Sequence, residues 1–498
     1  MPAQDLAMRL LSGTAYQANP YPSTGVPTAF ELHLMNRLGC GWSRDTWRQM
    51  RANGGALAWL EAQLAPDSIG ESGTVQALDD WFPELLWSPS EKWRNQESNV
   101  RGGWEHSRDL GSRTMIRRIY SRRQVLETMV DFWSNHLHVV ADGGPWFTLR
   151  TDYDQTIREH ALGRFEDMLV ACTLHPAMLV YLDNFRSIKN APNENHGREL
   201  LELHTVGRAS GYTEEMVKAS ARILSGYTVG YKTDWKQRYD LGLHTTGPVQ
   251  VLGFADSNAV ADGKAMTVRY LKYLANHRAT ALTIADKMAV RFVSDSPSAT
   301  LVNQLADVYL ASGTDIKSML QFLVSTDEFR GSAGQKVRTT VDDLVATSRV
   351  MKVQARKPTR NESFANSISY AHQGMLLYQW PRPDGAPQRN AEWASASRML
   401  GSFRMHWNLA AGYYPKVDVT HRTPRSWLPQ SRIRLDQYVD HMCRMLLGRT
   451  STSRDLKAVC QATGRSPGEA VTRDHPLASW MFIRMLACLL DSPSHMSR

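Results

Sequence analysis

The chain has 498 residues, 42% of them hydrophobic and 21% charged, and a net charge of +9 from 58 Lys+Arg against 49 Asp+Glu. That balance excludes a disordered polymer, and the length exceeds what one small core needs. The modest positive charge comes with no zinc-finger or RNP motif, so nucleic acid is not an expected partner. No apolar run reaches the roughly 18 residues of a membrane span. The five cysteines (Cys40, Cys172, Cys443, Cys460, Cys488) are widely spaced and odd in number, which signals neither a disulfide framework nor a thiolate metal site. The N-terminal stretch lacks a basic start and a sustained apolar segment. Cytoplasmic residence is therefore expected, although an exported mature form would look the same.

In chain order, residues 1–27 are rich in Pro, Ser, Thr and Gly and read as an extended arm. Three short helices follow over 28–65, with Gly39 and Gly41 ending the first, Ser43 capping the second and Gly54-Gly55 opening the third. A tryptophan-containing loop is expected to about 105. Apolar residues from Met115 to Trp133 recur at helical spacing. Within it, Arg113, Arg117, Arg118, Arg122 and Arg123 read as a solvated or ion-paired face. Two more helices are expected over 151–184, with a break at Gly163 and a further turn opened by Pro176. His175 and His277 each precede a helical run and read as caps or packing residues. Asn193 and Gly207 bound a helix, and Thr213 and Gly226 bound the next. Residues 227–256 are rich in Gly, Thr, Val and aromatics and predict a small irregular or β-containing segment. Helices return over 265–329, 338–352, 395–412, 433–448 and 470–491, interrupted by the Pro-rich loop "YQWPRPDGAPQ". The fold class is mainly α: a large multi-helix globular domain over 28–450, which could divide into two packed subdomains near 331–395, and a helical extension over 451–498.

The stretch "NENHGRELLELHTVG", residues 193–207, concentrates the chemistry. On an ideal α-helix Glu194, Arg198 and Glu202 form one stripe, with the arginine between two carboxylates, and Glu199 and Glu202 adjoin it. Leu200, Leu201 and His204 face a core. Charges that flank an apolar face are partly buried, and buried charges must be paired or bind a cation.

These residues resemble the signature of the bacterial family DUF1800, a domain of unknown function: N-E-N, then R-E-L-x-E-L, then T-x-G, followed by G-Y-T and an A-R-x-L helix. "FWSNHLHV", "ALGRFEDMLVACTLHPAMLVYLDN", "LKYLANHRATALTIADKMAVRFVSD" and "LHLMNRLGCGWS" are similar to further blocks of that family. His196 stands where the family usually has an aromatic. The resemblance covers roughly 30–450. It implies a helical fold and where a site would lie, and it supplies no reaction.

The polar residues recurring in these blocks supply three chemistries. The first is acid–base catalysis of hydrolase or lyase type, with Glu199 or Glu202 as acid or base, Arg198 orienting the ligand, and His136 assisting. Asn135, Asp183, Asn184, Asn193, Glu194, Asn195 and Tyr212 would line the ligand site, an anionic or carbohydrate molecule being the type that Arg198 suits. The second is one divalent metal, Zn, Mn or Fe, held by His136, Glu199, Glu202, His204 and His244. The third is no catalysis at all: a buried charge network that fixes helix packing in a structural or protein-interaction component, whether with another protein or as a homo-oligomer. No Gly-x-Ser-x-Gly elbow, Rossmann glycine pattern or P-loop is present, which argues against serine hydrolases, dinucleotide enzymes and NTPases.

Overall fold

Capping chemistry sets most of the element boundaries in the computed structural model, which describes residues 16–372 and 376–498. Thr28 and Glu31 form a reciprocal capping box at the start of the Ala29–Arg37 helix. Ser43 accepts from the Thr46 N–H and starts Arg44–Ala52. His175 and His277 cap Pro176–Tyr181 and Arg278–Phe292 through Nδ1, which accepts from the backbone two residues on. The described residues form 26 α-helices and four two-stranded antiparallel sheets, a mainly α fold. Two of those sheets lie in the segment expected to hold β-structure, pairing Tyr227–Val229 with Gln237–Tyr239 and Val249–Val251 with Phe254–Asp256. No described helix is long and apolar enough to cross a membrane.

Three local expectations change. The tryptophan-containing loop before residue 105 is largely short helices, among them Gly73–Gln76 and Pro89–Glu97, each started by a serine cap. The long apolar pattern around Met115 is two helices, Gly103–Tyr120 and Gln124–His136. Ser121 is extended between them, and its hydroxyl accepts from the Arg123 N–H and donates to Glu71, so a side chain takes over where the backbone ladder stops. Finally, Ala470–Thr472 is a strand paired with Arg432–Arg434, and the last long helix begins only at Phe482.

One continuous set of buried apolar side chains runs from Leu34 to Leu490. Residues 1–15 of the expected N-terminal arm lie outside the described residues. The rest of the arm is pinned, with the Tyr21 N–H donating to Asp440 and the Thr24 hydroxyl bonded to His441. At the other end Arg498 is buried beside Asp342, and Lys336 and Arg498 exchange two backbone hydrogen bonds. All five cysteines are free thiols, and all but Cys488 are buried. Of the expected solvated or ion-paired basic run, Arg118 is ion-paired, with Asp131 and Asp342, and is buried rather than solvated.

Candidate functional site

The 193–207 segment starts as predicted. Asn193 caps it by accepting from the Asn195 N–H, and Glu194–Glu199 is α-helical. Leu200–His204 then widens into a π-turn. Side chains five apart, rather than four, come into line there. The expected Arg198–Glu202 pair is accordingly not made. Arg198 instead grips Glu214 with two hydrogen bonds of 2.7 and 2.6 Å, and it lies 3.6 Å from Glu194. Glu214 pulls the guanidinium pKa upward. Glu202 pairs with Arg208 and accepts from the Tyr212 hydroxyl at 3.1 Å. These ion pairs lie toward solvent, while His196, Gly197, Leu200, Leu201 and His204 are buried.

The end of the π-turn shapes the site. A helix leaves its last carbonyls without partners. Here the Thr205 hydroxyl donates to Leu200 O at 2.6 Å and the Gly207 N–H to Leu201 O at 2.9 Å. The Leu203 and His204 carbonyls are taken by side chains from elsewhere. His136, the last residue of its helix, places Nε2 3.1 Å from His204 O. Lys287, on the Arg278–Phe292 helix, places Nζ 3.3 Å from Leu203 O and 2.8 Å from His136 Nδ1. A carbonyl only accepts, so Nε2 of His136 carries the proton and Nδ1 accepts from the lysine ammonium. Burial, followed by the charge of Lys287, holds the His136 pKa well below its usual value. Burial also brings Lys287 down to about 8, against the opposing pull of Asp384 and Asp286.

This pair opens onto a cavity of about 290 Å³ whose walls include Asn135, Asp286, Arg382 and Asp384. Its lid is the Pro-rich loop. Asn135 exchanges two hydrogen bonds with the backbone of Ala386, at 2.7 and 2.8 Å, and His138 bonds Trp380 O at 2.9 Å. Gly385 is required at the point of closest approach: its φ is +75°, and a Cβ there would sit 2.1 Å from Asn135 O. Glu199 is half-buried, and its pKa is raised by burial and then by Glu202, with Asp384 adding to the effect. Tyr181 is pushed up to about 12 by burial and by Glu199 and Asp384. The field of Asp384 thus reaches Lys287, Glu199 and Tyr181. Larger open grooves of about 690 and 790 Å³ lie elsewhere, and neither is lined by a histidine.

The remaining expected site residues are scattered. Asn184 is buried and donates to Leu224 O and Tyr227 O. Asp183 pairs with Arg186 near the surface. Asn195 reaches Leu182 O. Both ring nitrogens of His244 are engaged, by Ser225 and by Asn258 at 2.7 Å. His204 is fully buried, neither ring nitrogen has a hydrogen-bond partner, and burial drops its pKa to about 3. The five expected metal ligands do not converge. An ammonium occupies the open nitrogen of His136, and a cation next to it would be repelled.

A family model described as a protein of unknown function, DUF1800, matches residues 33–497. The chain belongs to the DUF1800 family. No curated protein and no solved structure matches it. In this DUF1800 chain the resembling blocks are the ones that build the cavity: "FWSNHLHV" gives Asn135, His136 and His138, "RELLELHTVG" gives the two carbonyls, and "ADKMAVRFV" gives Lys287. Lys287, Asp286, Asp384 and Tyr181 carried no functional expectation from sequence. Lys287 shares its helix face with Thr283, Ile284, Val290 and Arg291, so its spacing carries no distinguishing signal.

Proposed function

We propose that the cavity over His136 and Lys287 is the ligand site of an acid–base enzyme of hydrolase or lyase type. The observation that carries this reading is the lysine near pKa 8, hydrogen-bonded to a neutral imidazole at the base of a cavity. A group titrating near neutral pH both gives and takes a proton readily. Lys287 exchanges the proton, His136 keeps it poised, and Asp384, on the cavity wall, is the carboxylate whose charge acts on Lys287. Arg382 on the wall suits a substrate with an anionic group. Arg198 and Glu202 contribute by fixing the helix through Glu214, Arg208 and Tyr212.

The competing reading is a packing role, favoured by the bond from Lys287 to Leu203 O, which staples the π-turn. Amine-selective labelling followed by peptide mapping separates the two. A catalytic Lys287 reacts with a midpoint near 8, and Lys287→Met abolishes turnover in a panel of ester, glycoside and phosphoester substrates that the wild type attacks, with little change in melting. A Lys287 that titrates like a solvent lysine, in a protein that turns over none of the panel, would leave the packing reading in place.

A further inference from the structure

A second cluster lies on other elements, away from any residue of the cavity. Asp343 and Thr347 are one turn apart on the Thr340–Val350 helix. His406 lies on Ala396–Ala411, and His495 on Pro493–Met496 near the chain end. One ligand atom from each of Asp343, His406 and His495 lies within 4.8 Å of the other two. We propose that these three residues form a buried zinc site that clamps the C-terminal segment to the core.

The geometry points to a cation rather than to a simple ion pair. Asp343 Oδ1 is 3.0 Å from His406 Nε2 and 3.7 Å from His495 Nε2. Ligands at about 2.0 Å from a tetrahedral zinc stand about 3.3 Å apart, between those two values. Thr347 Oγ1 lies 2.8 Å from His495 Nε2 and 3.5 Å from Asp343 Oδ1, which puts a second oxygen beside the three ligand atoms. The surroundings orient the ligands. Asp343 Oδ2 accepts from the Ser402 hydroxyl at 2.6 Å and lies 3.5 Å from Arg398, which leaves Oδ1 to face both imidazoles. His406 Nδ1 is 2.7 Å from Asp491, so a carboxylate backs the ring on the side away from the ligand atom, as it commonly does for metal-bound histidines. The Asp343, His406 and His495 side chains are almost wholly enclosed, which fits a structural site rather than a catalytic one.

The test uses the whole chain, expressed without an affinity tag. Elemental analysis should find roughly one equivalent of zinc, chelation should lower the melting temperature, and Zn²⁺ alone should restore it. Asp491→Asn should weaken zinc binding about 10–100-fold. His495→Gln should remove it, whereas His136→Gln should keep the full zinc content. Should a variant fail to fold, calorimetric titration of Zn²⁺ into the chelator-stripped wild type decides. Less than about a tenth of an equivalent bound, with an unchanged melt, overturns the site. So does zinc retained at wild-type affinity when both His406 and His495 are glutamine.

Discussion

His196 shows what a single buried polar ring costs. It is fully buried, neither nitrogen has a hydrogen-bond partner, and burial lowers its pKa to about 3. The unfolded chain takes up a proton near pH 6.5, and the folded one refuses it until about 3. The unfolded state therefore binds more protons in that window, and stability falls as pH drops through it, by about 1.4 kcal/mol per pH unit for each such group. His196→Phe removes this contribution. Urea unfolding at pH 7 and pH 5 should show the variant losing about 2 kcal/mol less than wild type over that interval. At pH 7 it should also be the more stable protein, by about 1–3 kcal/mol, because an unpaired buried polar group has gone. Equal acid sensitivity in the two proteins would mean that His196 is not the protonation-resistant group.

Helix pairing is the next scale, and Gly197 sets it. The Glu194–Glu199 helix rests on Glu214–Leu224 so closely that a Cβ at 197 would stand 2.8 Å from Ala221 N and 3.1 Å from Val217 O. Backbone atoms cannot turn aside as a flexible side chain would. Alanine would gain about 1 kcal/mol in helix propensity over glycine, yet Gly197→Ala is expected to destabilise the protein by about 1–3 kcal/mol, since the two helices must separate. The same shift would carry the Leu203 and His204 carbonyls away from Lys287 and His136. A drop in the urea midpoint together with a further fall in the labelling midpoint of Lys287, whose ammonium loses the Leu203 carbonyl, is the expected signature. A stabilised Gly197→Ala protein would show that the contact yields.

Over the whole molecule the decisive charges are the buried ones. Asp342 is approached by Arg118 at 2.8 Å, Arg498 at 3.1 Å and Arg291 at 3.4 Å, and Arg118 and Arg291 also hold Asp131. This network joins the Gly103–Tyr120, Arg278–Phe292 and Thr340–Val350 helices to the last residue. The surrounding guanidiniums, Arg498 foremost, hold the Asp342 pKa well below the usual carboxylate value despite burial. Its stabilising contribution is thus complete above the unfolded value and fades only in strong acid. Asp342→Asn leaves buried guanidiniums short of a carboxylate and should cost about 3–5 kcal/mol by chemical denaturation. Asp45→Asn, at a largely exposed carboxylate paired with Arg48 and Lys352, should stay within about 0.5 kcal/mol of wild type. Similar losses at both positions would argue against a special role for the buried network.

Local chemistry was legible in the sequence, because caps and periodicity act over a few residues. The Asn193 start, the Ser43, His175 and His277 caps, the mainly α class and the strands near 227–256 all follow from neighbours in the chain. The pairing of the charges was not legible. An α-helical wheel places Arg198 beside Glu202, and one π-turn hands it to Glu214 instead. The cavity needed Lys287 from one helix, His136 from another and a lid held by Asn135, and helical periodicity does not set Lys287 apart from Thr283 and Arg291 on the same face. The Asp343–His406–His495 cluster is harder still to read, since His406 lies 63 residues from Asp343 and His495 lies 148 from Thr347, with no motif linking them. Sequence alone determined the mainly α class and several capped helix starts, but not the helices before residue 105, the break at Ser121 or the strand at Ala470–Thr472. Which buried charges and ligand atoms meet was decided only by the tertiary packing, because hydrogen bonds and Coulomb forces act across a few ångströms of space whatever the separation along the chain.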